Sequence, residues 1–344
     1  MAKRVSIADI AESLGVSKAL VSLVINDKGD EHGINRETQQ RVRDKVKELN
    51  YEPNLFARSF RVGKTNTIGL IVSDISNRFY ARLARNIEDS AWSHGYTVVI
   101  CSTDEDVKKE KEQIRLLRDR KIDGLIISSS QENADFFNKL VENKFPHVLI
   151  DRMFDNMASA SVSVDNYAGA SLAARHLLKQ GFKDFAMITI SPEHISTIQN
   201  RIRGFTNTLS EAGFELSPDR HIMAPFDRIE ETVKESIQKY YLSGNLPEAI
   251  FALNNNLTST CLKYLRKLSI RIPEDIALIG FDDVLYFGFT QPSISSISQP
   301  VDMISDYAFQ LLLRQIEKEQ IPEEERSVVL PVDIIIRESS IKSN

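Results

Sequence analysis

Six histidines and two cysteines are the residues of this 344-residue chain best suited to metal or nucleophilic chemistry, and their spacing supports neither. His32, His94, His147, His176, His194 and His221 include no i, i+4 pair and have no cysteine neighbour. Cys101 and Cys261 lie far apart, so they form no CxxC ligand pair and no disulfide framework. The sequence contains no GxG, GxxxxGK[ST], HExxH or GxSxG. It therefore lacks the glycine loops that cradle phosphates, the helical zinc pair and the nucleophile turn of a hydrolase. Neither catalysis nor a cofactor or metal is expected. The chemistry that remains is non-covalent recognition.

Recognition has a strong candidate in residues 6–26, SIADIAESLGVSKALVSLVIN. Ser6 can cap a helix, with Asp9 three residues on as a weak capping box. Ile7, Ile10, Ala11 and Leu14 then share one face. Gly15 supplies a turn and Val16 closes the angle. Ser17 can cap a second helix, whose buried stripe is Val21, Val24 and Ile25. The first residues of that helix project outward, which is the layout of a helix-turn-helix whose second helix enters the DNA major groove. Two amphipathic helices in any small bundle can look the same, so the motif alone is an even choice between DNA reading and packing.

The elements around it narrow the choice. Residues 35–50 form a third helix, with Asn35 as N-cap and Val42, Val46 and Leu49 as the stripe that closes a three-helix core. Pro53 stops that helix. NLFARSF is about two turns, too short to be stable alone in water, and VGKTN is a polar linker. Residues 1–64 hold 12 Lys and Arg against 9 Asp and Glu, whereas the whole chain has a formal net charge of −5. A basic head on an acidic body fits a reader of DNA whose body is repelled by phosphate. No apolar run approaches the roughly 18 residues of a membrane span, and the N-terminus lacks the apolar region of a signal peptide. With the two unpaired cysteines this points to a reducing cytoplasm.

From Thr67 the pattern alternates strand and helix. TIGLIVSDI, YTVVICST, DGLIISSS, PHVLIDR and ASVSVD read as strands of a first series. The rhythm restarts after Asp165, with FAMITIS, HIMAP, AIFALN and IALIGFDD as strands and RIRGFTNTLSEAG among the helices. Continuous apolar strands alternating with helices imply parallel sheets covered on both faces. Two series imply two doubly wound lobes, with a ligand at the strand C-termini between them.

These features together resemble the LacI family of transcription regulators over nearly the whole length. DIAESLGVS…VSLVIN resembles the family's DNA-reading head, and NYEPNLFARSF…GKTNTIG its hinge. RIRGF from Arg201, LNN, PEDIALIGFDD from Pro273, and Gln299-Pro300 resemble landmarks of its core. The resemblance implies an all-α helix-turn-helix head joined to an α/β, periplasmic-binding-protein-like core of two doubly wound parallel-sheet lobes. It divides the chain into residues 1–50 (head), 51–66 (hinge helix and linker), 67–163 with 294–325 (first lobe) and 164–293 with 326–344 (second lobe).

By resemblance, Ser17, Lys18, Ala19 and Ser22 reach base edges. Lys18 can donate to guanine and Ala19 can meet a thymine methyl. Asn35 and Thr38 are matched to phosphate, and Ser6 joins the same DNA-binding set. Phe60 stands where the family carries an apolar minor-groove wedge, usually leucine. Ala57 is small enough for two hinge helices to approach, and Arg58 and Arg61 can reach phosphate. Leu20 and Leu23 depart from the family's usual threonine and arginine, so the head is expected to prefer an operator of its own.

The matched effector positions are Asp74, Phe79, Tyr80, Asp151, Arg152, Arg201, Phe226, Asn254, Asn255 and Asp282. Asn255 replaces a frequent aspartate. Carboxylates, amides and arginine beside aromatic rings suit a sugar or sugar phosphate, while the arginines would equally suit a purine or another anion. The last residues, RSVVLPVDIIIRESSIKSN, show no leucine heptad, so a homodimer on a near-palindromic operator is expected. A solute-binding protein for transport shares the two-lobed core but would not carry the head.

Overall fold

The computed structural model describes residues 5–51 and 64–342. They fall into two compact units, Met1–Thr65 and Asn66–Asn344. Ala57, Arg58, Phe60 and Arg61 lie outside the described residues.

The first unit holds α1 (Ile7–Leu14), α2 (Lys18–Ile25) and α3 (Arg36–Glu48). Ser6 accepts from the Asp9 amide while the Asp9 side chain takes the Ser6 amide at 2.7 Å, so the capping box is present. Gly15 ends α1 with a left-handed φ of 65°, a conformation that glycine adopts at no steric cost. Ile10, Ala11, Val21, Val24, Val42 and Tyr51 form the core. Gln39 is also buried, because its amide nitrogen donates at 2.8 Å to Asp30 and to the Ile34 carbonyl. Those two bonds tie the polar loop after α2 to α3.

The second unit is two lobes. In the first, β1 (Thr67–Val72), α4 (Arg78–Ser93), β2 (Thr97–Ser102), α5 (Val107–Asp119), β3 (Gly124–Ile127), α6 (Asp135–Glu142), β4 (His147–Ile150) and β5 (Ala160–Val164) follow in turn. The chain then crosses to the second lobe: α7 (Asn166–Lys179), β6 (Phe185–Ser191), α8 (Ser196–Glu211), β7 (His221–Pro225), α9 (Ile229–Ser243), β8 (Ala249–Ala252), α10 (Asn255–Lys267), β9 (Ala277–Phe281) and β10 (Ser295–Ser298). It crosses back for α11 (Val301–Ile316), the short α12 (Glu323–Arg326) and β11 (Ser327–Leu330), and crosses a third time to β12 (Asp333–Ile335).

The sheet orders are β11-β5-β4-β3-β1-β2 and β12-β10-β9-β8-β6-β7. All pairings are parallel except β10 with β12. The strands were read correctly as two series, but the return segment divides differently from the expected 294–325 and 326–344. Ser295–Ser298 pairs with β9 in the second lobe, and Ser327–Leu330 pairs with β5 in the first. Short apolar strands carry no mark of which sheet they extend, so their sequence cannot place the crossings.

Strand alternation builds both faces of the first sheet. Ile68, Leu70 and Val72 of β1 join the larger core, while Ile71 faces the cluster of Ile114, Leu117, Phe137 and Leu140 from α5 and α6. In the second lobe, α7 and α8 pack closely at Gly204. A Cβ there would lie 2.2 Å from the Tyr167 carbonyl oxygen, so only glycine permits the approach.

Candidate functional site

The C-terminal ends of both parallel sheets face one cleft, as doubly wound lobes require. Its lining includes Asp74, Phe79, Tyr80, Asp151, Arg152, Arg201, Phe226, Asn254 and Asp282, nine of the ten expected effector residues. The cavity they leave is about 60 Å³. That is far below the roughly 300–1,000 Å³ of ordinary ligand sites, so the two lobes lie close together across the cleft.

Each lobe presents a carboxylate directly after a strand. Asp151 follows β4 and accepts from the Tyr80 hydroxyl at 2.9 Å, while Tyr80 also shares a 2.9 Å hydrogen bond with Ser128. Burial raises the Tyr80 phenol well above its usual range. Asp282 follows β9 and accepts from the Gln299 amide at 2.5 Å. Burial pushes its carboxyl up, against the opposing pull of Arg201.

Arg201 lies on α8 within the second lobe. Its Nε donates to Asn166 at 2.8 Å and Nη1 to the Leu253 carbonyl at 2.7 Å, and the guanidinium sits 3.6 Å over the Phe281 ring. Nη2 stands 3.9 Å from Asp282. Because α8 begins at Ser196, Arg201 is more than a turn inside the helix, whereas the RIRGFTNTLSEAG pattern starts the helix at Arg201 itself. The polar run HISTIQN hid the first turn.

Arg152 is clamped from the side. Its Nη1 and Nη2 donate to the two Glu105 carboxylate oxygens at 2.7 and 2.6 Å, and Nη1 also meets the Ser129 carbonyl and Ser130 hydroxyl at 3.1 Å. Burial alone would raise the Glu105 carboxyl; Arg152 outweighs it and holds that group below the usual range. Glu105 was not foreseen, although it lies in the acidic loop just past β2, where the strand-end rule directs attention. Gln299, part of the Gln299-Pro300 landmark, also lines the cavity.

Asn255 is the expected residue that the structure does not bring to the cavity. It is fully buried, and its amide nitrogen donates at 2.8 Å to Asn77 of the first lobe, while Asn256 faces the cavity instead. Asn77 also accepts from the Phe79 amide at 2.9 Å, capping α4. Two more polar contacts join the lobes: the Met153 amide to Ser196 Oγ at 2.8 Å, and His194 Nε2 to the Ser130 carbonyl at 3.2 Å. Asn254 spends its oxygen as the α10 cap, and Asp74 accepts twice from Ser76.

In the head, Ser17, Lys18 and Ala19 are exposed at the start of α2, with Ser17 Oγ capping the Leu20 amide at 3.1 Å. Ser22 is half-buried one turn on. Ser6 and Asn35 are exposed caps, and Thr38 is half-buried with its amide on Asn35. Leu20 packs partly against the head's core, so a leucine at this position of α2 adds packing.

A helix-turn-helix unit with a two-lobed, cleft-bearing α/β unit defines a ligand-responsive transcription regulator. The comparisons with known proteins agree. A family model described as "Bacterial regulatory proteins, lacI family" matches residues 6–54, and one described as "Periplasmic binding protein-like domain" matches residues 174–340. The ribose operon repressor of Halalkalibacterium halodurans is 32% identical over 338 residues, 97% of each chain. The structure of the lac repressor dimer bound to operator and the anti-inducer ONPF has a TM-score of 0.83 at 20% identity, covering 98% of this chain and 100% of that one. A periplasmic binding protein/LacI transcriptional regulator from Alkaliphilus metalliredigens, complexed with D-xylulofuranose, has a TM-score of 0.67 at 28% identity, covering 80% of this chain and 100% of that one. The chain belongs to the LacI family of DNA-binding transcriptional regulators, which are not enzymes. Among the described residues, no helix is long and apolar enough to cross a membrane.

Proposed function

We propose that this regulator is a cytoplasmic homodimer that represses from a near-palindromic operator and takes a sugar or sugar phosphate as effector in the interlobe cleft. One observation carries the effector class: Phe79, Tyr80 and Phe226 stand beside Asp74, Asp151, Arg201 and Asp282 around one cavity. Rings cover the apolar face of a sugar and the polar groups engage its hydroxyls. A ribose operon repressor among the relatives and a sugar-bound regulator among the structures favour the same class.

In this reading Ser17, Lys18, Ala19 and Ser22 meet base edges, and Ser6, Asn35 and Thr38 approach phosphates. Ala57, Arg58, Phe60 and Arg61 form the hinge contacts, with Phe60 as the wedge. Effector shifts the lobes between open and closed states, which alters whether paired hinge segments can fold on the operator. Gel-shift titration on palindromic sites, with and without a panel of pentoses, hexoses and their phosphates, tests this. Loss of the sugar response in R201A supports the cleft as the site. An unchanged response removes Arg201 from it.

A further inference from the structure

We infer that Glu105 is a specificity-determining residue: by occupying Arg152 it makes the cleft reject anions and select an uncharged polyhydroxylated ligand. This rests on the cleft being the sugar site and narrows the class to sugars without a phosphate or acid group.

The charge balance leads to it. Arg152 and Arg201 are the cations among the cavity-lining residues, against Asp74, Glu105, Asp151 and Asp282. Both arginine charges already face a carboxylate. Glu105 holds Arg152 through two parallel hydrogen bonds, with both side chains 8% exposed. Arg201 donates to Asn166 and the Leu253 carbonyl and lies over the Phe281 ring, and its Nη2 stands 3.9 Å from Asp282. A phosphate or carboxylate entering here would lose its water and find carboxylates rather than a free cation, which is costly.

Donor and acceptor supply points the same way. Two buried cavity-lining residues keep polar atoms without hydrogen-bond partners, the acceptor Gln299 Oε1 and the donor Arg152 Nε. With the carboxylates, the site is rich in acceptors and needs donors. A hydroxyl can donate to Gln299 or an aspartate and accept from Arg152 Nε. A phosphate dianion or carboxylate only accepts. Glu105 thus does what an anionic ligand would do, from within the protein.

The test is calorimetric titration of the full-length protein with D-ribose, D-xylulose and D-glucose, their phosphate esters, and inorganic phosphate. Wild type is expected to bind a neutral sugar at least ~10-fold more tightly than its phosphate ester, the penalty of one uncompensated buried charge being at least that large. E105Q, which frees the Arg152 charge, is expected to gain affinity for the ester or for inorganic phosphate, and E105Q/R152Q to lose that gain. A purely structural role for Glu105 would weaken all ligands alike. Wild-type binding of a phosphate ester as tight as that of its sugar overturns the assignment and leaves the cleft reading intact; this arm needs no variant. If no sugar of either kind binds wild type, the sugar reading fails. Glu105 is then judged on inorganic phosphate, and the assignment falls if E105Q gains none.

Discussion

Asp151 and Asp282 occupy equivalent positions in the two lobes, each directly after the strand third from the same end of its sheet, and each with a left-handed backbone, φ 66° and 69°. A non-glycine residue held there costs about 1–3 kcal/mol. The same strained turn on both sides aims one carboxylate from each lobe at the cleft. Tyr80 fixes the first and Gln299 the second. The site is therefore built by repetition, one acid per lobe, before the arginines individualise it.

Asp282→Asn keeps a residue that tolerates the left-handed turn and removes a buried charge. The native carboxyl is raised by burial, against Arg201. The folded protein therefore holds its proton more tightly than the unfolded chain, and wild type loses stability as pH rises through that raised value. D282N is expected to match or exceed wild type in urea denaturation at about pH 7, with the gap closing near pH 4, where unfolded aspartate titrates. Its effector response in gel shifts should nonetheless fall by ~10-fold or more.

Glu105 has the opposite sign. Burial raises it, but Arg152 prevails and the net shift is downward. Its contribution is fully present above the ordinary glutamate range of about 4.3 and is lost as pH falls through the depressed native value. E105Q is expected to cost about 3 kcal/mol at neutral pH, as for a broken buried pair. The deficit should shrink as denaturation is repeated at progressively lower pH. A deficit independent of pH would mean that the ion pair is not its source.

Gly204→Ala places a Cβ 2.2 Å from the Tyr167 carbonyl oxygen, and neither backbone can yield cheaply. Helix α8 must move away from α7, costing roughly 1–3 kcal/mol. The shift also separates Arg201 from Asn166, so thermal stability and effector affinity should fall together. A stable variant with normal effector binding would show that the close crossing is not what positions Arg201.

Asn255→Asp restores the residue that the family resemblance led one to expect. Asn77 must present oxygen to the Phe79 amide, so it can only accept from position 255. An ionised aspartate cannot donate. Loss of this interlobe bond, worth about 1 kcal/mol, should weaken effector affinity several-fold through the closed state, with little change in operator affinity when no effector is present. Small-angle scattering should report a more open core.

Leu23→Arg on α2, the helix proposed to read the operator, is expected to leave head stability nearly unchanged, since Leu23 is half-buried and is not part of the head's core cluster. It should raise preference for guanine at an outer operator position by about 1–3 kcal/mol, measured by selection from randomised palindromes. Leu20→Thr, by contrast, removes packing against that cluster and should lower the head's melting temperature.

The architecture was legible because it is written in periodicity. The caps Ser6, Ser17 and Asn35, the turn at Gly15 and the alternation after Thr67 are local signals, and the structure keeps them. Most of the residues expected at the effector site lie together in the cleft because strand ends converge by topology. What was not legible depends on contacts between residues distant in sequence. Nothing near Glu105 announces Arg152, 47 residues on, and nothing near Asn255 announces Asn77 in the other lobe. The lobe crossings escaped for the same reason, since β10 and β11 differ only in which edge they join.

Those crossings set the order in which the molecule becomes competent during synthesis. The head's helices and core are complete by Tyr51 and form a small unit of their own. The first lobe's sheet gains its last strand only when Ser327–Leu330 has been made, and the second its last at Asp333–Ile335. Domains emerging from the ribosome fold in the order they appear. The head's segment is therefore synthesised long before the strands that complete the sheets on either side of the cleft.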